Sequence, residues 1–218
     1  MPTIALNRCI CVHSMSQIID IAIQYLLFQC KFVPETIQQL ISDDPNSKAV
    51  AEYHKICECL RNLFKAGNIR RLREIVIILG ATPYLAEKAY RIPLKFCEEH
   101  ANSLDKGCGQ TCGDLSKNEI RKVFGALFQT LNNDELNTSS NRKFFIYARV
   151  SQTLYNASKI EEIEEDDGFE LPHKITPKII KVRYCREMND ENVELEENKN
   201  ETTENGIWLR FTPFFSTH

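Results

Sequence analysis

The stretch Ile75-Val76-Ile77-Ile78-Leu79, stopping at Gly80, constrains the fold more than any other part of the chain. A strand with one wet face alternates apolar and polar residues, and this run does not alternate. It predicts a strand buried on both faces. Something must then cover each side of the sheet it belongs to, and the chain supplies amphipathic helices. Residues up to about Lys31 form the first, capped by Ser14 or Ser16, with Ile18, Ile19, Ala22, Ile23, Leu26 and Leu27 at helical spacing. Pro34 opens a short helix to Ile41. Lys48–Ala66 is the next, with Val50, Tyr53, Ile56, Leu60, Leu63 and Phe64 on one face and Gly67 as its stop. Leu115–Leu131 is the third long helix. Ser116 with Glu119 three residues on is a capping-box pattern, and Ile120, Val123, Phe124, Leu127, Phe128 and Leu131 are its apolar positions.

Further strands are expected at Thr3–Val12, at Lys143–Tyr155, where aromatic and polar residues alternate, and at Ile179–Tyr184. A short helix is expected before Pro93. The acidic run Ile160–Asp167 reads as mobile, and 190–205 has almost no hydrophobic residues and reads as a disordered loop. The tail Gly206–His218 holds the only tryptophan and a dense aromatic cluster. An apolar tail of this kind is a liability when free, so it is expected to pack on its own sheet, with Pro213 at a strand end or edge. The resulting class is α+β: three sizeable helices packed on a mainly antiparallel sheet, in a single domain over 1–218.

A net charge of −3 gives no overall electrostatic case for nucleic acid. No apolar run approaches the ~20 residues that cross a bilayer, and the first residues do not read as a signal peptide. With nine cysteines and no secretory signal, the expectation is a reducing compartment and mostly buried thiols. No phosphate-cradling glycine loop, nucleophile elbow or helical zinc-protease motif is present, which lowers the case for an enzyme.

Three groups of residues invite a functional reading. Cys97, His100, Cys108 and Cys112 could close a tetrahedron around zinc, or be unrelated residues in a cysteine-rich chain. The basic stretch Lys174–Arg186, flanked by acid on both sides, suits a charged protein surface as well as it suits solvated loops. Phe124 and Phe128 lie four residues apart among Arg121, Lys122, Gly125 and Gln129. They are either core or one face offered to a partner, and periodicity leaves both open.

Four stretches in this order and spacing resemble the comet family of HORMA-like proteins. They are QYLLFQCKFVPETIQQL around Gln29, LREIVIILGATP, EIRKVFGALFQTLNNDEL and GIWLRFTPFF. The resemblance spans nearly the whole chain. It implies a HORMA-like fold whose C-terminal segment, with Trp208, Phe211 and Phe214, folds back onto the sheet. It further implies a non-enzymatic adaptor without cofactor that binds the closed form of the checkpoint protein mitotic arrest deficient two (Mad-two). That complex is presented to an AAA+ remodelling ATPase of the Pch-two type, silencing the spindle checkpoint in nucleus and cytoplasm, at spindle and kinetochore. Nucleic acid and membrane are not expected partners. By motif, the residues reaching Mad-two are Gln29 and Phe124, with Arg121 and Gly125 beside them. An exposed Phe124 and a more buried Phe128 follow. The ATPase contact falls on Pro172 and Lys174, where His173 interrupts the family's Pro–Lys pair. The alternatives are a HORMA subunit that captures a linear peptide, or a small zinc-binding protein.

Overall fold

The computed structural model describes residues 3–64, 71–96, 113–131, 141–151, 162–171, 173–183 and 206–217. In chain order the elements are β1 (Thr3–Ala5), α1 (Val12–Gln29), α2 (Ile37–Asp43), α3 (Lys48–Leu63), β2 (Leu72–Gly80), β3 (Ala86–Pro93), α4 (Lys117–Leu131), β4 (Lys143–Ser151), β5 (Ile163–Glu165), β6 (Lys178–Ile179), β7 (Lys181–Arg183), β8 (Gly206–Phe211) and β9 (Phe215–Ser216). The class is mixed α+β, with four helices among the described residues.

The main sheet runs β5-β8-β4-β2-β3-β6, with β9 also on β4. All its pairings are antiparallel except β3 with β6. After β6 the chain leaves this sheet, and β7 pairs in parallel with β1. β2 sits near the centre, between β3 and β4, and its residues from Ile75 to Leu79 are at most 1% exposed. Ile75, Ile77 and Leu79 face a core built with α1, α3 and α4, while Val76 and Ile78 face a second, smaller cluster. Continuous apolarity was therefore the correct sign of double burial. Gly80 is required where β2 bends into the hairpin. A Cβ there would run into the Leu85 carbonyl, and the ladder shifts register at Leu79/Gly80.

The C-terminal tail lies along β4. Ile207 pairs with Val150, Leu209 with Ala148 and Phe215 with Phe144, and Pro213 sits in the break between β8 and β9. Along β8, Ile207, Leu209 and Phe211 join the helix-side core, while Trp208 points to the opposite face. Phe215 meets Phe144 edge-on at 6.5 Å and is buried. Phe214 is exposed and stacks on Phe145, so Phe215 is the inward anchor at this end of the tail.

Five local expectations are corrected. The first strand ends at Ala5 and α1 begins at Val12, because Cys11, not Ser14 or Ser16, takes the cap position. Ser14 Oγ accepts from the Cys11 amide at 2.9 Å and donates to the Cys11 carbonyl at 3.0 Å. The short second helix starts at Ile37 rather than Pro34, capped by Thr36, whose Oγ1 accepts from the Gln39 amide. The segment before Pro93 is strand β3, since hydrogen bonding to β2 outweighs its weak local pattern. The acidic run holds β5, an edge strand with only Ile163 turned inward. Charged residues on an edge strand discourage further pairing. Finally, Phe128 is more exposed than Phe124, not less. The segment 190–205 and the extension of β4 to Tyr155 lie outside the described residues.

Candidate protein-binding face

α4 is held by its first turn. Ser116 and Glu119 form the capping box: the Glu119 amide donates to Ser116 Oγ at 3.3 Å, and the Ser116 amide donates to Glu119 Oε2 at 2.8 Å. Arg8, only 4% exposed, reaches the same place. Its guanidinium donates to the Gly113 and Asp114 carbonyls at 3.0 and 2.9 Å and pairs with Glu119 at 3.2 Å. Burial works against the Glu119 charge, but the Ser116 amide and hydroxyl and then Arg8 outweigh it, holding its carboxyl below the usual range. The Leu115 amide donates to Gln17 Oε1 at 2.6 Å, which ties the start of α4 to α1.

α4 packs beside α1, with Val123, Leu127 and Leu131 buried against the core. Helical spacing then puts Arg121, Phe124, Gly125 and Phe128 on the outward arc. Phe124 is 37% exposed, Phe128 54% and Phe28 44%. Arg121 and Gly125 are exposed, and Gln29, the last residue of α1, is half-buried. Among the described residues, nothing lies within 4 Å of where a Gly125 Cβ would stand. A glycine there costs the helix ~0.5–1 kcal/mol relative to alanine, and no neighbour among the described residues requires it.

Sequence reasoning singled out Gln29 and passed over Phe28. The signal was available: Asp20, Gln24 and Phe28 recur every four residues, so Phe28 continues the polar, not the apolar, side of α1. That side is ordered by α3. Tyr53 donates to Asp20 at 2.6 Å, and Gln24 donates to Asp20 at 2.9 Å and to the Tyr53 hydroxyl at 2.8 Å. Burial raises the Asp20 carboxyl above its ordinary range despite these donors.

The opposite face of the sheet carries a second aromatic group, and it is covered. Phe169 stacks on Tyr147 with ring centroids 3.9 Å apart and meets Trp208 edge-on at 5.0 Å. The Arg149 guanidinium lies over the Trp208 ring, and buried Glu74 pairs with Arg91 at 2.6 Å and Arg149 at 3.5 Å. Lys174 is exposed beyond this cover; Pro172 lies outside the described residues. So do Cys97, His100, Cys108 and Cys112. Among the described residues no group of three or more His, Cys, Asp or Glu side chains could hold a metal ion. No described helix is long and apolar enough to cross a membrane.

No protein-family model matches the sequence, and no curated protein matches it.

Proposed function

We propose that this chain is a HORMA-like adaptor of the comet type, which binds closed Mad-two and presents it to a Pch-two-type ATPase. It carries out no chemistry of its own; the ATPase supplies the work, and this chain supplies recognition and positioning. Holding both surfaces in one molecule makes the remodelling encounter effectively intramolecular.

One observation carries the reading. Phe124 and Phe128 on α4 and Phe28 near the end of α1 are each at least 37% exposed, and among the described residues nothing stands within 4 Å of where a Cβ on Gly125, next to Phe124, would be. Large aromatics beside a flat spot are what an interface core offers a partner, with a few such residues carrying most of the affinity. The family resemblance names the partner, and its two motif positions, Gln29 and Phe124, belong to these same two helices.

Peptide capture by this chain is the weaker alternative. β8 already lies between β4 and β5, so an added strand there must first displace the chain's own tail. The test is a binding titration of closed Mad-two. Phe124→Ala should weaken it by ~2 kcal/mol or more while thermal stability is retained, and adding a Gln29 substitution should weaken it further. Undiminished binding by the double variant contradicts the proposed face.

A further inference from the structure

Among the described residues, the sheet face opposite the helices is closed by a short length of chain. From Asp166 to Leu171 the backbone crosses that face. The Asp166 amide donates to the Trp208 carbonyl at 2.9 Å, and the Phe169 amide donates to the Asp166 carbonyl at 3.1 Å. The Tyr147 hydroxyl donates to Asp166 Oδ2 at 3.0 Å. Phe169 is 2% exposed, and Leu171 packs on the same cluster of Val76, Ile78 and Ala89. Between them Glu170 points to solvent, its side chain 84% exposed. This is in–out alternation laid flat on a sheet.

His173 is 91% exposed in its side chain, and Lys174 is exposed as well. The chain then reaches β6, where Lys178 and Ile179 pair with Tyr90 and Arg91 of β3. The segment is thus tied at both ends. At its start is an aromatic ring seated among Tyr147, Trp208 and Tyr84; at its end is a backbone ladder. A loop tied in this way loses little freedom when a partner binds it.

We propose that Phe169 is a plug whose purpose is positional: it holds the loop carrying Lys174 in place, so that the exposed Lys174 ammonium is offered to an acidic site on the remodelling ATPase. This rests on the reading that the loop is the ATPase contact. It adds the residue that makes the contact rigid, and it places that residue on the sheet face away from the helices. Phe169 is a positioning residue and touches no partner itself.

Two readouts separate the parts. The first is limited trypsin cleavage of the full chain between Lys174 and Ile175, followed by mass spectrometry. The second is affinity for the ATPase. Phe169→Ala should speed that cleavage about tenfold or more, since cleavage tracks the population of the locally opened form. It should also weaken ATPase binding and leave the Mad-two titration unchanged. Tyr147→Phe keeps the ring and removes only the bond to Asp166, so it should fold and show the same changes at smaller size. Lys174→Glu should weaken ATPase binding with Phe169 still seated. Unchanged cleavage in both Phe169→Ala and Tyr147→Phe overturns the plug. Faster cleavage with full ATPase affinity in Phe169→Ala, while Lys174→Glu binds poorly, overturns its positional role. Full affinity in Lys174→Glu as well shows that the loop is not the ATPase contact, and the reading beneath the proposal fails with it.

Discussion

Phe169 and Phe124 are both aromatic residues, and the fold treats them oppositely. Phe169 is stacked between the sheet and solvent and is 2% exposed; Phe124 is 37% exposed, with Phe128 beyond it at 54%. The short stretch from Asp166 to Leu171 seats the first against Tyr147, Trp208 and Tyr84. The chain leaves more than a third of the second open, although α4 lies against the largest core among the described residues. The contrast separates two reasons for an aromatic side chain. One seals a sheet face that would otherwise expose Val76, Ile78 and Tyr147. The other adds nothing to the core that Val123, Leu127 and Leu131 do not already supply, which is why it suits a partner.

That contrast breaks if the two residues respond alike to truncation. Phe169→Ala should destabilise the fold by about 3 kcal/mol, the low end for buried aromatics because the cluster is small, as measured by urea denaturation. Phe124→Ala should change the same denaturation midpoint little, a surface effect within about 0.5 kcal/mol. Its cost should appear in Mad-two affinity instead. Gly125→Ala sharpens the point further. It should stabilise the helix by ~0.5–1 kcal/mol, and a partner that approaches closely at this spot should bind the more stable variant less well. A denaturation curve and a titration on one preparation compare the two signs.

The smallest effect concerns the polar side of α1. Burial raises the folded Asp20 carboxyl above its unfolded value of about 3.9, so the folded state holds a proton there that the unfolded state has released. Stability contributed by this group is therefore present at low pH and lost as pH rises through the raised value. Asp20→Asn removes the titration. Relative to that variant, the parent should lose stability between pH 4 and pH 7. A parent that gains on the variant over this range contradicts the burial argument. Tyr53 is coupled to the same carboxylate by its 2.6 Å bond, so Tyr53→Phe should raise the Asp20 carboxyl further.

Much of this architecture was legible in the sequence because its strongest signals are periodic. The unbroken aliphatic run at Ile75–Leu79 showed double burial, and α1, α3 and α4 stand where helical spacing placed them. What escaped had its cause at a distance. β3 reads poorly alone because Ala86–Pro93 is a strand through its ladder with β2. β5 hides in an acidic run because a single inward Ile163 is enough for an edge strand supported by the Arg210–Glu164 pair at 2.7 Å. Phe169 carried no local sign of importance; its slot is assembled from β4, β8 and the turn after β2. On the candidate face, Phe124 was found through the family resemblance. Phe28 and the exposure of Phe128 depend on how α1 and α4 sit against the core, which periodicity alone leaves open.

The claim at the centre of this account is that the outer face of α4 and the end of α1 recognise closed Mad-two. The most direct measurement is calorimetric titration of closed Mad-two into the parent chain and into a Phe28→Ala/Phe124→Ala/Phe128→Ala variant of matched thermal stability. The account predicts saturable one-to-one binding to the parent, with affinity reduced by ~4 kcal/mol or more in the variant when two or more of these residues are hot spots. Equal binding by both, or no binding by the parent, contradicts it.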